Sequence, residues 1–261
     1  MKTITIIGAG NMGGAIAATL SSSPQIKVTV TNRSKSKLEK LQAQYPSLTI
    51  TTDNVAAVKN ADLVILAVKP WIMSEVITQI KDTLNYSQQA VVSIAGGMGL
   101  DTLDELLDKQ GALPAIFHVI PDTAISVGHG MTFIAARRAS DELKQFVKEA
   151  FSSMGEAAIV EERLMNAATA LSSCGIAYAY KYVQACVQAG VQLGFRPDDA
   201  LHYVLATVDG AVAMLRQNET LPQQEIDRVT TPGGMTIKGI NELDHQGFTS
   251  AVIRAFLKPL E

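Results

Sequence analysis

Gly8, Gly10 and Gly13 stand in the run Gly8-Ala9-Gly10-Asn11-Met12-Gly13-Gly14, directly after the apolar residues Ile4, Ile6 and Ile7. Glycines at this spacing serve one kind of chemistry well. The first allows a sharp turn, the second lets the backbone approach a diphosphate, and the third lets a helix pack close on a strand. Bare amides at the helix start, with Asn11 and Met12 among them, then face the phosphates, where the helix dipole adds attraction. A glycine turn alone is weak, but one between a strand and an Ala-rich helix predicts a dinucleotide site.

The residues after the second strand bear on which dinucleotide. A site for NAD places Asp or Glu there, about 20 residues on, to accept the ribose hydroxyls. Here Ile26–Thr31 ends in Asn32-Arg33-Ser34, followed by Lys35 and Lys37. No carboxylate repels a 2′-phosphate, Arg33 offers it a planar fork, and Asn32 and Ser34 offer hydrogen bonds. The expectation is NADP(H) in preference to NAD(H). A second cluster lies near the other end, Thr230-Thr231-Pro232-Gly233-Gly234-Met235-Thr236, running into an apparent helix. Its glycines and helix start suit a carboxylate or phosphate. The same residues suit an ordinary capped helix with Thr as the N-cap, and the sequence leaves both readings open.

Elements must position these groups. Strand patterns at Thr3–Ile7, Ile26–Thr31, Leu63–Val68, Ala90–Ala95, Ala115–Val119, Thr132–Ala135 and Ala157–Val160 alternate with helical patterns near Asn11–Ser22, Lys35–Tyr45, Trp71–Leu84, Asp101–Lys109 and Ser140–Met154. This alternation predicts a Rossmann-like, doubly wound, mainly parallel α/β sheet over residues 1–160. Ligands of such sheets sit beyond the carboxyl ends of the strands. That rule selects Val68-Lys69-Pro70, Ala95-Gly96-Gly97 and His118-Val119-Ile120-Pro121 as pocket-lining turns.

Past Arg163 no strand pattern remains, and residues 161–261 read as an all-helical domain. Leu164–Leu193 is one long proline-free stretch, followed by helices near Pro197–Arg216, Pro222–Val229, Gly234–His245 and Thr249–Leu257. Asn166, Gln184, Gln188 and Gln192 argue against a membrane span. A helix apolar all round is then buried in protein, and the simplest cover is a second copy of the chain.

Composition agrees. Hydrophobic residues make up 47% of the 261, and the net charge of −3 gives no case for nucleic acid or an anionic membrane. Cys174 and Cys186 share a predicted helix and cannot meet as a disulfide, so buried, reduced thiols are expected. With no leader pattern at the N-terminus, this points to the cytoplasm. The four histidines are scattered, so no metal site is expected. His118 alone falls at a strand's carboxyl end.

The motifs together resemble pyrroline-5-carboxylate reductases. The resemblance rests on the Gly8–Gly14 loop, Ala67-Val68-Lys69-Pro70, Ser93-Ile94-Ala95-Gly96-Gly97, Ala170-Leu171-Ser172 with Gly175 and Ala177-Tyr178, Ala189-Gly190-Val191 with Leu193-Gly194, and Val229–Gly234 with Thr236. It implies reduction of a cyclic imine, 1-pyrroline-5-carboxylate, to L-proline by hydride transfer from NAD(P)H. It further implies that the amides of Gly233, Gly234, Met235 and Thr236 hold the substrate carboxylate, that the Thr236 hydroxyl bonds the ring nitrogen as the catalytic contact, and that Glu162 approaches the substrate amine. Asn54, Val68, Lys69, Ala95 and Gly96 match positions lining the cofactor pockets. A homodimer with interlocked C-terminal helices, or a ring of dimers, is the implied assembly.

The chain departs from the family pattern at three places. Arg-x-Met-Pro-Asn-Thr-Pro reads His118-Val119-Ile120-Pro121-Asp122-Thr123-Ala124, Ser-Gly-Ser-Gly-Pro reads Ser172-Ser173-Cys174-Gly175-Ile176, and Met235 replaces a smaller residue. Loss of the glycine and proline predicts a straighter long helix, and Asp122 predicts a negative charge near the nicotinamide. These changes keep three alternatives in view: a reductase for a related imine, an NADP-dependent β-hydroxyacid dehydrogenase using Lys181, and a non-catalytic NADP(H)-binding regulatory paralogue.

Overall fold

The computed structural model describes residues 1–261, which form two compact units, Met1–Ser173 and Cys174–Glu261. The first contains β1 (Lys2–Ile7), α1 (Asn11–Leu20), β2 (Ile26–Thr31), α2 (Lys35–Gln44), β3 (Thr49–Thr51), α3 (Asn54–Val58), β4 (Leu63–Leu66), α4 (Pro70–Ile80), β5 (Ala90–Ser93), α5 (Leu100–Leu107), β6 (Ala115–Pro121), β7 (Gly130–Arg137), α6 (Asp141–Ser152), β8 (Gly155–Ile159) and α7 (Met165–Thr169). The strands make one sheet in the order β3-β2-β1-β4-β5-β6-β7-β8. All neighbours run parallel except β6 and β7. Only the short turn 122–129 joins that pair, too few residues for a parallel crossover.

Alternation along the strands builds a core on each face. Ile4, Ile6, Leu63, Ile65, Val92, Phe117 and Val119 meet Ile16 and Leu20 of α1, Leu38 of α2 and Phe151 of α6. Ile7, Val64, Leu66, Val91, Ile116 and Ile120 meet Met73 and Ile77 of α4, Leu103 of α5 and Met165 of α7. All four side chains of β4 are buried, as a strand covered by helices on both sides requires.

Two short elements were absent from the sequence expectation, β3 and α3. Several predicted strands also differ at their ends. β4 stops at Leu66 and β5 at Ser93, because the chain turns out of the sheet toward the glycine loop's neighbours, whereas β6 and β7 are longer, as they pair with each other through Pro121 and Arg137.

The expected straight helix over Leu164–Leu193 is interrupted. After α7 the hydrogen bonding widens to a π-helical turn at Ala170–Cys174, and regular α-helix resumes only at Gly175. π-turns are a known cause of bends, so loss of the family's glycine and proline does not leave a regular helix here. Ser172 Oγ donates to Asp122 Oδ2 at 3.0 Å and contacts the Met131 carbonyl oxygen at 3.4 Å, which fixes the widened turn to the β6–β7 connection.

The second unit comprises α8 (Gly175–Gln192), α9 (Pro197–Asn218), α10 (Pro222–Val229), α11 (Met235–His245) and α12 (Phe248–Leu257). Pro197 and Pro222 open their helices at the first turn, where a missing N–H costs nothing. Tyr178 links α8 to α12: its hydroxyl donates to the Ala255 carbonyl at 2.9 Å, and its ring meets Phe256 edge-on at 4.9 Å. Yet Ala200 is the only buried residue in this unit. Tyr180, Tyr182, Leu193, Phe195, Tyr203, Leu205, Met214 and Ile253 all stand exposed. Cys174 and Cys186 are free thiols and only half-buried, not enclosed as expected, because the unit has almost no interior of its own. No helix is long and apolar enough to cross a membrane.

Candidate active site

The strand order reverses direction between β1 and β4, and the residues that follow them enclose a cavity of ≈ 630 Å³. Gly8, Gly10, Asn11, Met12, Gly13, Asn32, Arg33, Asn54, Val68, Lys69, Pro70, Ala95 and Gly96 all line it, whereas Ser34, Gly97 and the turn at His118–Pro121, also expected there, do not. The three glycines differ in what they permit. Gly8 has φ +114°, and a Cβ there would lie 2.4 Å from the Ala67 carbonyl oxygen. A Cβ on Gly13 would lie 2.0 Å from the Gly8 oxygen. These two are held by crowding of strand, turn and helix. A Cβ on Gly10 would meet nothing within 4 Å, so the space beside it is open toward the cavity. Gly10 is the N-cap of α1, whose first turn carries no acid. The first intrahelical bond runs from Gly14 N to Gly10 O, leaving the amides of Asn11, Met12 and Gly13 without helical acceptors. An open glycine beside free amides fits a diphosphate.

At the far end of β2, Arg33 is exposed and makes no ion pair, and Asn32 Nδ2 reaches only the Ser34 carbonyl, at 3.4 Å. α2 begins immediately after with no acid in its first turn. Sequence reasoning missed part of the wall. Thr31 Oγ1 donates to Asn54 Oδ1 at 2.6 Å, Asn54 Nδ2 to Gln79 Oε1 at 3.1 Å, and Gln79 Nε2 to Glu75 Oε1 at 3.3 Å. Ile72 and Val76 of α4 supply the apolar part of the same wall. Their four-residue spacing, and Gln79 three further on, put them on one helix face, a signal present in the sequence.

Asp122 does not line this cavity, contrary to expectation. Its carboxylate is buried and accepts from the Ala124 amide at 2.9 Å, the Met131 amide at 3.1 Å and Ser172 Oγ. Its oxygens cap a 3-10 turn and anchor the π-turn.

His118 lies within β6 rather than at its end, because the strand continues to Pro121. It is nevertheless level with Ser93, the last residue of neighbouring β5. Its Nδ1 is 3.3 Å from Glu162 Oε1, which also accepts from the Leu100 amide at 2.9 Å. Glu162 opens a 3-10 turn that leads into α7.

The remaining predicted residues belong to the second unit. Gly233 has φ +71°, Gly234 N donates to Thr231 O at 2.9 Å, and α11 starts at Met235. Gly234, not Thr, is the N-cap, and no side chain caps the helix. A Cβ on Gly234 would lie 2.6 Å from Thr231 Oγ1, so the turn closes too tightly for a larger residue. The amides of Met235, Thr236 and Ile237 have no helical acceptor, no acid stands in the first turn, and Thr236 is exposed beside them. Lys181, on α8, is exposed and donates to Gln184 Oε1 at 2.9 Å.

A doubly wound sheet with an open glycine at its switch point defines the first unit as a Rossmann-type, dinucleotide-binding fold. Comparison with known proteins carries this further. Residues 162–260 match the family model for pyrroline-5-carboxylate reductase dimerisation, and residues 3–97 match that for NADP oxidoreductase, coenzyme F420-dependent. The chain is 34% identical to a pyrroline-5-carboxylate reductase of Corynebacterium melassecola, over 98% of this chain and 95% of that protein. It is 32% identical to pyrroline-5-carboxylate reductase 1 of Dictyostelium discoideum over 97% of its own length, and spans about half (48%) of that longer relative. A crystal structure of Plasmodium falciparum pyrroline carboxylate reductase with NADP bound superposes with a TM-score of 0.86 at 28% identity, covering 99% of this chain and 95% of that one. The chain belongs to the pyrroline-5-carboxylate reductase family.

Proposed function

We propose that this protein reduces 1-pyrroline-5-carboxylate to L-proline, with NADPH preferred over NADH. The observation that carries the reading is the conjunction of the open Gly10 cradle with the uncapped, glycine-bounded start of α11: two anion-binding sets of amides, for a diphosphate and a carboxylate. In this reading Gly8, Gly10, Asn11, Met12 and Gly13 bind the diphosphate, and Asn32 and Arg33 the 2′-phosphate. Asn54, Val68, Lys69, Pro70, Ala95 and Gly96 line the nucleoside pockets. Bound NADPH supplies the hydride that the imine carbon accepts.

The chain's own residues orient and stabilise. Backbone amides of the Gly233–Thr236 turn hold the substrate carboxylate, with those of Met235 and Thr236 free for it and that of Gly234 already given to Thr231 O. As the C=N π electrons move onto nitrogen, that atom goes from one N–H to two, taking its second proton from solvent. Thr236 Oγ1 and the Glu162 carboxylate accept those two N–H groups. A ring imine is protonated readily, so position and hydrogen bonding suffice without a strong general acid.

Residues 1–160 serve the cofactor and 161–261 serve substrate and assembly, in a cytoplasmic homodimer with interlocked C-terminal helices, alone or in a ring. The exposed apolar faces of α8, α9 and α12, with one buried residue among them, support a second copy as their cover. The test is oxidation of NADPH by the purified protein with pyrroline-5-carboxylate, beside other cyclic imines, β-hydroxyacids and α-keto acids. Turnover highest on the five-membered imine is expected. Tight NADPH binding without turnover on that imine overturns the reading.

A further inference from the structure

Glu162 and His118 stand 44 positions apart in the chain and meet within the first unit. His118 is only 3% exposed and shares its face of the sheet with Ile116 and Ile120. A buried imidazole among apolar side chains needs a reason, since both ring nitrogens lose their water. One of them has a partner: Nδ1 contacts Glu162 Oε1 at 3.3 Å. That same oxygen takes the Leu100 amide at 2.9 Å. Gly99 makes room for it, because a Cβ there would approach Oε1 to 3.0 Å.

The carboxylate is thus gripped at one oxygen and left without a partner at the other. Glu162 Oε2 is shielded from solvent and has no hydrogen-bond partner, and neither has His118 Nε2. A carboxylate only accepts, so the missing partner of Oε2 is an N–H or O–H donor, and a cationic one is favoured. Buried polar atoms left without partners are uncommon and costly, so two of them on one hydrogen-bonded His–Glu pair call for a ligand or an ordered water to complete them.

We propose that His118 is a positioning residue for Glu162. Its Nδ1–H donates to Oε1 and, with the Leu100 amide, fixes the carboxylate's rotation so that Oε2 is presented to the N–H of the protonated imine. Donation from Nδ1 sets the neutral tautomer and leaves Nε2 as an acceptor, which a water bridging to Oε2 or the substrate nitrogen satisfies. His118 touches neither substrate nor cofactor in this scheme and acts through Glu162. The inference rests on the reading of Glu162 as the contact to the substrate nitrogen.

The experiment is steady-state kinetics on the full-length enzyme with the imine varied, for His118→Leu, His118→Asn, Glu162→Gln and the Glu162→Gln/His118→Leu double variant. Nucleotide affinity is followed separately by NADPH fluorescence. Leucine keeps the bulk but removes the donor, and asparagine restores an N–H close to the Nδ1 position. His118→Leu is expected to lower kcat/KM for the imine roughly fivefold to fiftyfold, the worth of a hydrogen bond that orients a charged group, with NADPH affinity unchanged. His118→Asn is expected to recover most of that loss, and His118→Leu to add nothing once Glu162 is glutamine. Losses that multiply in the double variant, or an Asn variant as poor as Leu, overturn the proposal while Glu162 keeps its role. A Glu162→Gln enzyme with unaltered imine kinetics removes the underlying reading of Glu162 instead. Should His118→Leu not fold, the asparagine and glutamine substitutions at 118 carry the comparison, since only asparagine presents its N–H at the Nδ1 position; equal activity in the two overturns the proposal.

Discussion

Replacing Arg33 with alanine tests how the cofactor is chosen. Arg33 lines the cavity beyond β2, is exposed and makes no ion pair, so its guanidinium donors are free for a ligand. No acid in the first turn of α2 opposes an anion there. A charge-assisted pair of this kind contributes about 1.5–3 kcal/mol, and exposure to solvent argues for the lower half of that range. At about 1.4 kcal/mol per decade, the KM for NADPH should rise roughly tenfold to thirtyfold. NADH has no 2′-phosphate, so its KM should change by less than about threefold, and the loss with NADPH should shrink as salt screens the contact. Initial rates with both nucleotides, at low and high KCl, read all three effects. Equal losses with NADH and NADPH refute the reasoning, because Arg33 would then be supporting the fold or the shared diphosphate.

Thr236→Ala should lower kcat/KM for the imine by roughly tenfold to a hundredfold, one hydrogen bond to a group gaining charge; unchanged kinetics remove Thr236 from the mechanism. Gly10→Ala and Gly13→Ala should separate binding from folding. The first fills open space, keeping Tm but weakening NADPH binding, whereas the second drives a Cβ into the Gly8 carbonyl and costs about 1–3 kcal/mol of stability, read as a fall of several degrees in Tm. Asp104 predicts a pH effect. Burial pushes its carboxyl up, but hydrogen bonds from Arg138 and Arg137 outweigh this and hold it below the ordinary value. A depressed carboxyl stabilises the fold above its unfolded pKa of about 3.9 and loses that contribution as pH falls through the lower folded value. Asp104→Asn should therefore cost about 1–2 kcal/mol near neutral pH, discounted for the third-exposed arginines, and flatten the loss of stability below about pH 4 in urea titrations.

The glycine loop was legible because its signal is local: a strand, a glycine-spaced turn and the start of an Ala-rich helix, all within a dozen or so residues. β3 and α3 were not, since three residues are too few to show alternation and five too few to show a helical stripe. The π-turn at Ala170–Cys174 depends on Ser172 reaching Asp122, 50 positions earlier, which no helical pattern encodes. A comparable separation, 44 positions, hid the meeting of His118 and Glu162. Glu75 and Gln79 are a different case, because the face they share with Ile72 and Val76 could have been read from spacing alone. In the second unit the helices were legible but their burial was not, as the surfaces that would cover Tyr203 or Leu205 are not part of a single chain's pattern.

That the Cys174–Glu261 helices enclose only Ala200 has a thermodynamic corollary. In the proposed two-fold assembly each side chain on the shared faces appears twice around the axis. One coding change there alters both sides of the same shared surface at once. The melting temperature should also climb as the protein is concentrated, because unfolding releases two chains from one particle.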